Sequence, residues 1–222
     1  MARQHDKAVI FDLDGVLVDT GEFHKQSWYD LAAREGWAYR EEQFYATFGM
    51  QNAQILPLIS PRPLGGGEIE EMADWKERRY RELIAGRLHL LPGVRELLAE
   101  LKEDGFGLAV GTSTPRANLE FMLEQTGAYG TFDATVTSEE VRQGKPAPET
   151  FLRAAEKLGV GVGRCVVVED AVAGVQAGKA AGMAVVAVTT TRRREELAEA
   201  DRIVDSLAEL WAGDFARLLA AR

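Results

Sequence analysis

The sequence predicts an α/β protein: a doubly wound, parallel, Rossmann-like sheet with an inserted α-helical cap domain. Three observations point there. Short, fully apolar runs recur along the chain and read as strands buried on both faces. Helical patterns separate most of them, which is the alternation of a doubly wound fold. The gap between the first two runs is too long for one crossover and carries amphipathic stretches of its own.

In chain order, strands are expected at Ala8–Phe11, 107–110, Ala134–Val136, 165–168 and Ala184–Val188, with a weaker sixth at Arg202–Val204. Core helices are expected at Val94–Glu103, 115–125, 148–158 and 171–181. The long gap offers helical stretches at 22–35, 41–48, Asn52–Ile59 and 68–85, and Pro61-Arg62-Pro63-Leu64-Gly65-Gly66-Gly67 reads as a loop. The expected division is a core of residues 1–17 and 90–222 and a cap of residues 18–89, hinged where the chain crosses between them.

Composition narrows the function. A net charge of −9 over 222 residues argues against a nucleic-acid partner, because a phosphate backbone needs a basic face. Cys165 is the only cysteine, so no internal disulfide can form. No run of 18 apolar residues suggests a membrane span, and the residues from Met1 to Asp6 show no signal-peptide pattern. A cytoplasmic monomer acting on a small molecule is the expectation. Trp28, Trp37, Trp75 and Trp211 read as packing residues, with the lining of a substrate pocket as the alternative for a cap tryptophan. Arg192-Arg193-Arg194 reads as a solvated face paired with Glu195 and Glu196.

The chemistry is concentrated at the ends of the strands, where ligands bind in open α/β sheets. The first run leads into Asp12 and Asp14, two residues apart, so in a strand their side chains share a face. Gly15 then lets the chain turn. Two crowded carboxylates repel and lose hydration, which a hard divalent cation relieves; Mg²⁺ suits one or two carboxylates plus a substrate phosphate. The second run ends in Thr112-Ser113-Thr114, the fourth in Glu169-Asp170, and Gly144-Lys145-Pro146 follows the third. One carboxylate on such a rim can attack phosphorus, and a second can move the protons. Thr114-Pro115 reads as a capping hydroxyl followed by a first-turn proline.

Asp12-Leu13-Asp14-Gly15-Val16-Leu17-Val18-Asp19-Thr20, Thr112, Lys145-Pro146-Ala147-Pro148-Glu149 and Glu169-Asp170-Ala171-Val172-Ala173-Gly174 together resemble the four motifs of the haloacid dehalogenase superfamily. The resemblance spans nearly the whole chain and is nearest to the β-phosphoglucomutase-like group with a helical cap. It implies Asp12 as nucleophile and Asp14 as general acid and base. It implies Mg²⁺ held by Asp12, the Asp14 backbone carbonyl and Asp170, supported by Glu169, with Thr112 and Lys145 holding the phosphoryl group. Thr20-Gly21-Glu22-Phe23-His24 is similar to the first cap segment, Phe48-Gly49-Met50-Gln51 to the specificity loop, and Lys76 to a lysine facing the active site. The candidate substrate contacts are therefore Thr112, Ser113, Arg116, His24, Gly49, Asn52 and Lys76.

Two departures bear on the reaction. Mutases of the group carry an arginine for the distal phosphate where this chain has Asn52, and a Lys-Asn pair where it has Pro115-Arg116. The expected activity is a Mg²⁺-dependent phosphatase acting on a small phosphorylated metabolite, with a phosphosugar mutase as the alternative. A 2-haloacid dehalogenase would leave Asp14 and the other acids superfluous. A signalling receiver module shares the acids, threonine and lysine but lacks a cap.

Overall fold

The computed structural model describes residues 5–48 and 50–221. Six parallel strands form one sheet in the order β3-β2-β1-β4-β5-β6. These are β1 (Ala8–Phe11), β2 (Gly107–Gly111), β3 (Ala134–Val136), β4 (Cys165–Glu169), β5 (Ala184–Val188) and β6 (Arg202–Val204). The weak sixth run is thus a true edge strand. Helices α1 (Gly21–Glu35), α2 (Glu41–Thr47), α3 (Asn52–Ile59) and α4 (Gly66–Ile84) fill the gap after β1. The core helices are α5 (Val94–Glu103), α6 (Arg116–Gln125), α7 (Glu149–Leu158), α8 (Val172–Ala180) and α9 (Ala212–Ala220).

Alternation along β1 explains why the sheet needs helices on both sides. Val9 and Phe11 enter one apolar cluster with residues of α5, α6 and α9, while Ala8 and Ile10 enter another with residues of α7 and α8. All four β1 side chains are fully buried, so a polar residue at any of them would lie in a core with no water to solvate it. β1 lies between β2 and β4, where the strand order reverses. The loops after β1 and β4 therefore part at this switch point and leave a crevice, the usual ligand position in such sheets.

The inserted helices carry their own apolar cluster, built from Trp28, Leu31, Phe44, Ile55, Leu56, Ile59 and Met72. α1 packs against α4. Tyr80 and Ile84, on the last turns of α4, instead join the cluster beneath the sheet, so this helix ties the cap to the core. The chain leaves and re-enters the core side by side: Val18 and Leu90 form an antiparallel bridge, and Leu91 N donates to Leu17 O at 2.9 Å. Among the described residues, no helix is long and apolar enough to cross a membrane.

Several local expectations need correction. β1 stops at Phe11, so Asp12 and Asp14 lie in the turn beyond it rather than on a strand face. α4 already begins at Gly66, which takes two glycines from the expected loop. Thr114 does not cap α6; the helix starts at Arg116 after an extended Pro115, and the Thr114 hydroxyl donates to Asp14. Trp211 is 53% exposed and lies at the start of α9 rather than in a core. In the arginine run, Arg193 pairs with Glu196, but Arg194 pairs with Asp205 and Arg192 donates to the Tyr45 carbonyl of α2.

Candidate active site

Asp12 follows β1 directly, anchored by its amide donating to Val168 O at 2.9 Å. Its Oδ1 accepts from Lys145 Nζ at 2.6 Å, and the same ammonium donates to Glu169 Oε1 at 2.6 Å. Lys145 is thus a buried cation between two acids, with its ammonium 4.9 Å from the centre of the Phe151 ring. Burial opposes its charge, yet Asp12 and Glu169 raise its pKa above the ordinary lysine value. Burial pushes the Asp12 carboxyl up to about 7 despite Lys145 beside it, and Glu169 and Asp14 add to the rise.

Glu169 is fixed by its own backbone. Its Oε2 accepts from the amides of Asp170 and Ala171, both at 2.9 Å, which leaves Oε1 for Lys145. Asp170 presents Oδ2 to the Thr191 hydroxyl, whereas its Oδ1 is buried with no partner. Burial, Glu169 and Asp12 raise the Asp170 pKa well above the usual carboxylate range. An orphaned, buried carboxylate oxygen is costly, and a cation would satisfy it. Asp12, Glu169 and Asp170 each offer an oxygen within 4.8 Å of the others. This hard-oxygen donor set fits Mg²⁺.

Asp14 faces away from that acidic group, toward the cap. Its Oδ1 accepts from the Thr20 hydroxyl at 2.5 Å and the Tyr80 hydroxyl at 3.3 Å, and lies 3.2 Å from His24 Nε2. Its Oδ2 accepts from Thr114 Oγ1 at 2.6 Å. Burial works against ionisation, but His24 and the hydroxyls of Thr114 and Thr20 outweigh it and hold Asp14 well below the usual carboxylate range. The two aspartates therefore occupy opposite electrostatic settings although one residue separates them.

The cap closes over this rim. His24 stacks on Tyr80, with ring centroids 4.0 Å apart, and its Nδ1 lies 2.9 Å from Lys76 Nζ. An ammonium only donates, so Nδ1 accepts and Nε2 carries its proton toward Asp14. The resulting pocket is lined by Asp12, Asp14, Lys145, Glu169, Asp170, Ser113 and Thr114 below, and by His24, Trp28, Phe44, Phe48, Asn52, Lys76 and Glu77 above. Its free space is about 50 Å³. That is room for a few waters, far below the size of ordinary ligand pockets.

The other candidates divide. The Ser113 hydroxyl is buried without a partner and lines the pocket, as a phosphate donor should. Thr112 is buried, and its Oγ1 accepts from the Thr114 amide at 3.0 Å, which orders the loop after β2. Arg116 turns outward to Glu140 and is absent from the lining, so the structure does not bring it to the others. Asn52 and Lys76 both reach Glu77. Gly49 lies outside the described residues.

Sequence reasoning missed Thr191, Tyr80, Glu77 and the role of Thr114. Thr191 comes from the loop after β5, and nothing in its neighbourhood marks it as a partner of Asp170. Tyr80 had a usable signal: it lies one helical turn after Lys76, on the same face of α4.

Known proteins resemble this chain over most of its length. A family model described as haloacid dehalogenase-like hydrolase matches residues 7–182. Protein CbbY of Rhodobacter capsulatus is 36% identical over 190 residues, covering 81% of this chain and 84% of that protein. Hexitol phosphatase B of Escherichia coli K12 is 33% identical over 211 residues, covering 93% and 95%. The crystal structure of β-phosphoglucomutase from Clostridium difficile superposes with a TM-score of 0.88 at 28% identity, covering 97% of each chain.

Proposed function

The chain belongs to the haloacid dehalogenase-like hydrolases, and we propose that it is a Mg²⁺-dependent phosphatase that cleaves a small phosphorylated metabolite, a sugar phosphate, through a phosphoryl group carried on Asp12. The observation behind this reading is the opposed pair at the switch point. Asp12 is bound to Lys145 and grouped with Glu169 and Asp170, while Asp14, two residues on, is held by the cap. Activity on sugar phosphates is supported by the relatives' names, among them hexitol phosphatase B.

Mg²⁺, held by Asp12, Asp170 and the Asp14 carbonyl with Glu169 in support, would neutralise charge on the phosphoryl oxygens. The chain's own residues do the rest. A carboxylate oxygen of Asp12 attacks phosphorus, the bond to the leaving oxygen breaks, and Asp14 gives that oxygen a proton. Water then attacks the phosphorus, Asp14 takes back a proton, phosphate leaves and the Asp12 carboxylate is restored. Lys145 and the Ser113 hydroxyl stabilise the oxygens of the transferring group.

The cap supplies the timing. A pocket of about 50 Å³ admits no sugar phosphate, so residues 18–89 swing open about the paired segments at Val18 and Leu90. Opening takes His24 and Tyr80 off Asp14 and lets it take up a proton; closing restores contacts that make it a stronger acid.

A mutase reading is favoured by the overlay on β-phosphoglucomutase. Phosphate release and isomer formation, measured together over a panel of hexose, pentose and hexitol phosphates with and without chelator, separate the two. The phosphatase reading expects chelator-sensitive phosphate release. Isomerisation of β-glucose 1-phosphate with little release would select the mutase instead.

A further inference from the structure

The cap end of the pocket holds a buried ion pair that the reaction above does not use. Lys76 Nζ donates to Glu77 Oε1 at 2.9 Å, with the two side chains 2% and 8% exposed. Asn52 Nδ2 donates to the same oxygen at 2.7 Å, and Asn118 Nδ2 donates to Oε2. Arg81 in turn donates to Asn118 Oδ1. Neighbours on a helix do not normally face each other, so this meeting of adjacent side chains is imposed by the cluster around them.

We propose that Glu77 sets the substrate class: it occupies the charge of Lys76 and makes the cap end of the pocket a receptor for hydroxyls that rejects a second phosphate. The proposal rests on the phosphatase reading and sharpens it to polyhydroxylated monophosphates. Among the described lining residues the lysines are Lys76 and Lys145, and both are paired with acids; no arginine lines the pocket. A phosphate arriving at the cap would meet a lysine already neutralised and a carboxylate that repels it. It would also have to displace the Lys76 bonds to Glu77 and to His24. A neutral hydroxyl faces no such barrier. A carboxylate has about four acceptor sites, three of which are used here, so one remains for a substrate O–H. Trp28, Phe44 and Phe48 supply apolar faces beside it, suited to the C–H surface of a sugar chain.

The test is binding, read in an Asp12→Asn background with Mg²⁺ so that turnover does not intervene. Glucose 6-phosphate and glucose 1,6-bisphosphate are titrated calorimetrically into proteins with Glu77, Glu77→Gln and Glu77→Asp. With Glu77 in place, the bisphosphate should bind no more than about threefold tighter than the monophosphate. Freeing Lys76 in Glu77→Gln should tighten the bisphosphate about tenfold, the scale of one charge-assisted hydrogen bond, and not the monophosphate. Glu77→Asp should restore discrimination. Unchanged bisphosphate binding in a folded Glu77→Gln protein would overturn the proposal. So would a preference above about tenfold for the bisphosphate with Glu77 intact, a measurement that stands even where the variant fails to fold. Failure of the Asp12-containing protein to release phosphate from any monoester would refute the phosphatase reading separately.

Discussion

The carboxylate of Glu169 occupies the place where a side chain on Gly174 would begin. A Cβ built on Gly174 would lie 1.8 Å from Oε1 and 1.9 Å from the carboxyl carbon. This close approach lets Glu169 fold back onto the amides of Asp170 and Ala171 while still reaching Lys145. Gly174→Ala must expel that carboxylate and leave the Lys145 ammonium short of one acid. Overpacking of this kind costs about 1–3 kcal/mol, which denaturant unfolding reads directly. Phosphate release should fall in the same variant. Unchanged stability and activity would mean that Glu169 does not need its present position.

Mg²⁺ binding should be linked to pH through Asp12. Without metal, the folded-state pKa of Asp12 is raised from 3.8 to about 7, chiefly by burial. A raised folded-state value contributes stability that is fully present below the unfolded pKa and is lost as pH rises through about 7. The metal-free protein should therefore melt lower at pH 8 than at pH 5.5, by a margin that shrinks in Asp12→Asn. Mg²⁺ held by Asp12 would compete with the proton there, so its thermal stabilisation should grow over the same interval. A Mg²⁺-induced melting shift equal at both pH values would contradict this linkage.

In the proposed mechanism Asp14 serves the leaving group. Asp14→Asn removes the proton donor, so transfer from a sugar phosphate should slow by about 10²-fold or more, while an aryl phosphate with a good leaving oxygen loses less. Equal losses on the two substrates would argue for a structural role. That alternative is a real one, because Thr20, His24, Tyr80 and Thr114 all use Asp14 as their acceptor.

Much of this site is legible in the sequence alone. Asp12 follows β1, Glu169 ends β4 with Asp170 next to it, and Lys145 lies in the loop after β3; a parallel sheet brings these strand ends to one rim. What stayed hidden depends on tertiary docking. Thr114-Pro115 matches the local pattern of a helix start, but the hydroxyl found a stronger acceptor in Asp14, 100 positions away. Asn52 looks like a lost phosphate ligand in the sequence; in the fold it is a donor to Glu77, whose orientation follows from how α3 and α4 pack. Arg116 looks available for phosphate by position alone, yet Glu140 claims its guanidinium. Local pattern located the chemistry, and packing between segments distant in sequence decided which side chains share it.

The central claim is that the phosphoryl group passes through Asp12, and Asp12→Asn tests it most directly. Asparagine keeps the shape of the side chain and removes the nucleophile. With folding verified by thermal melting, the rate of phosphate release from p-nitrophenyl phosphate should fall by at least about 10³-fold, as for other essential catalytic groups. Turnover within about tenfold of the unmodified protein would show that the phosphoryl group never rests on Asp12.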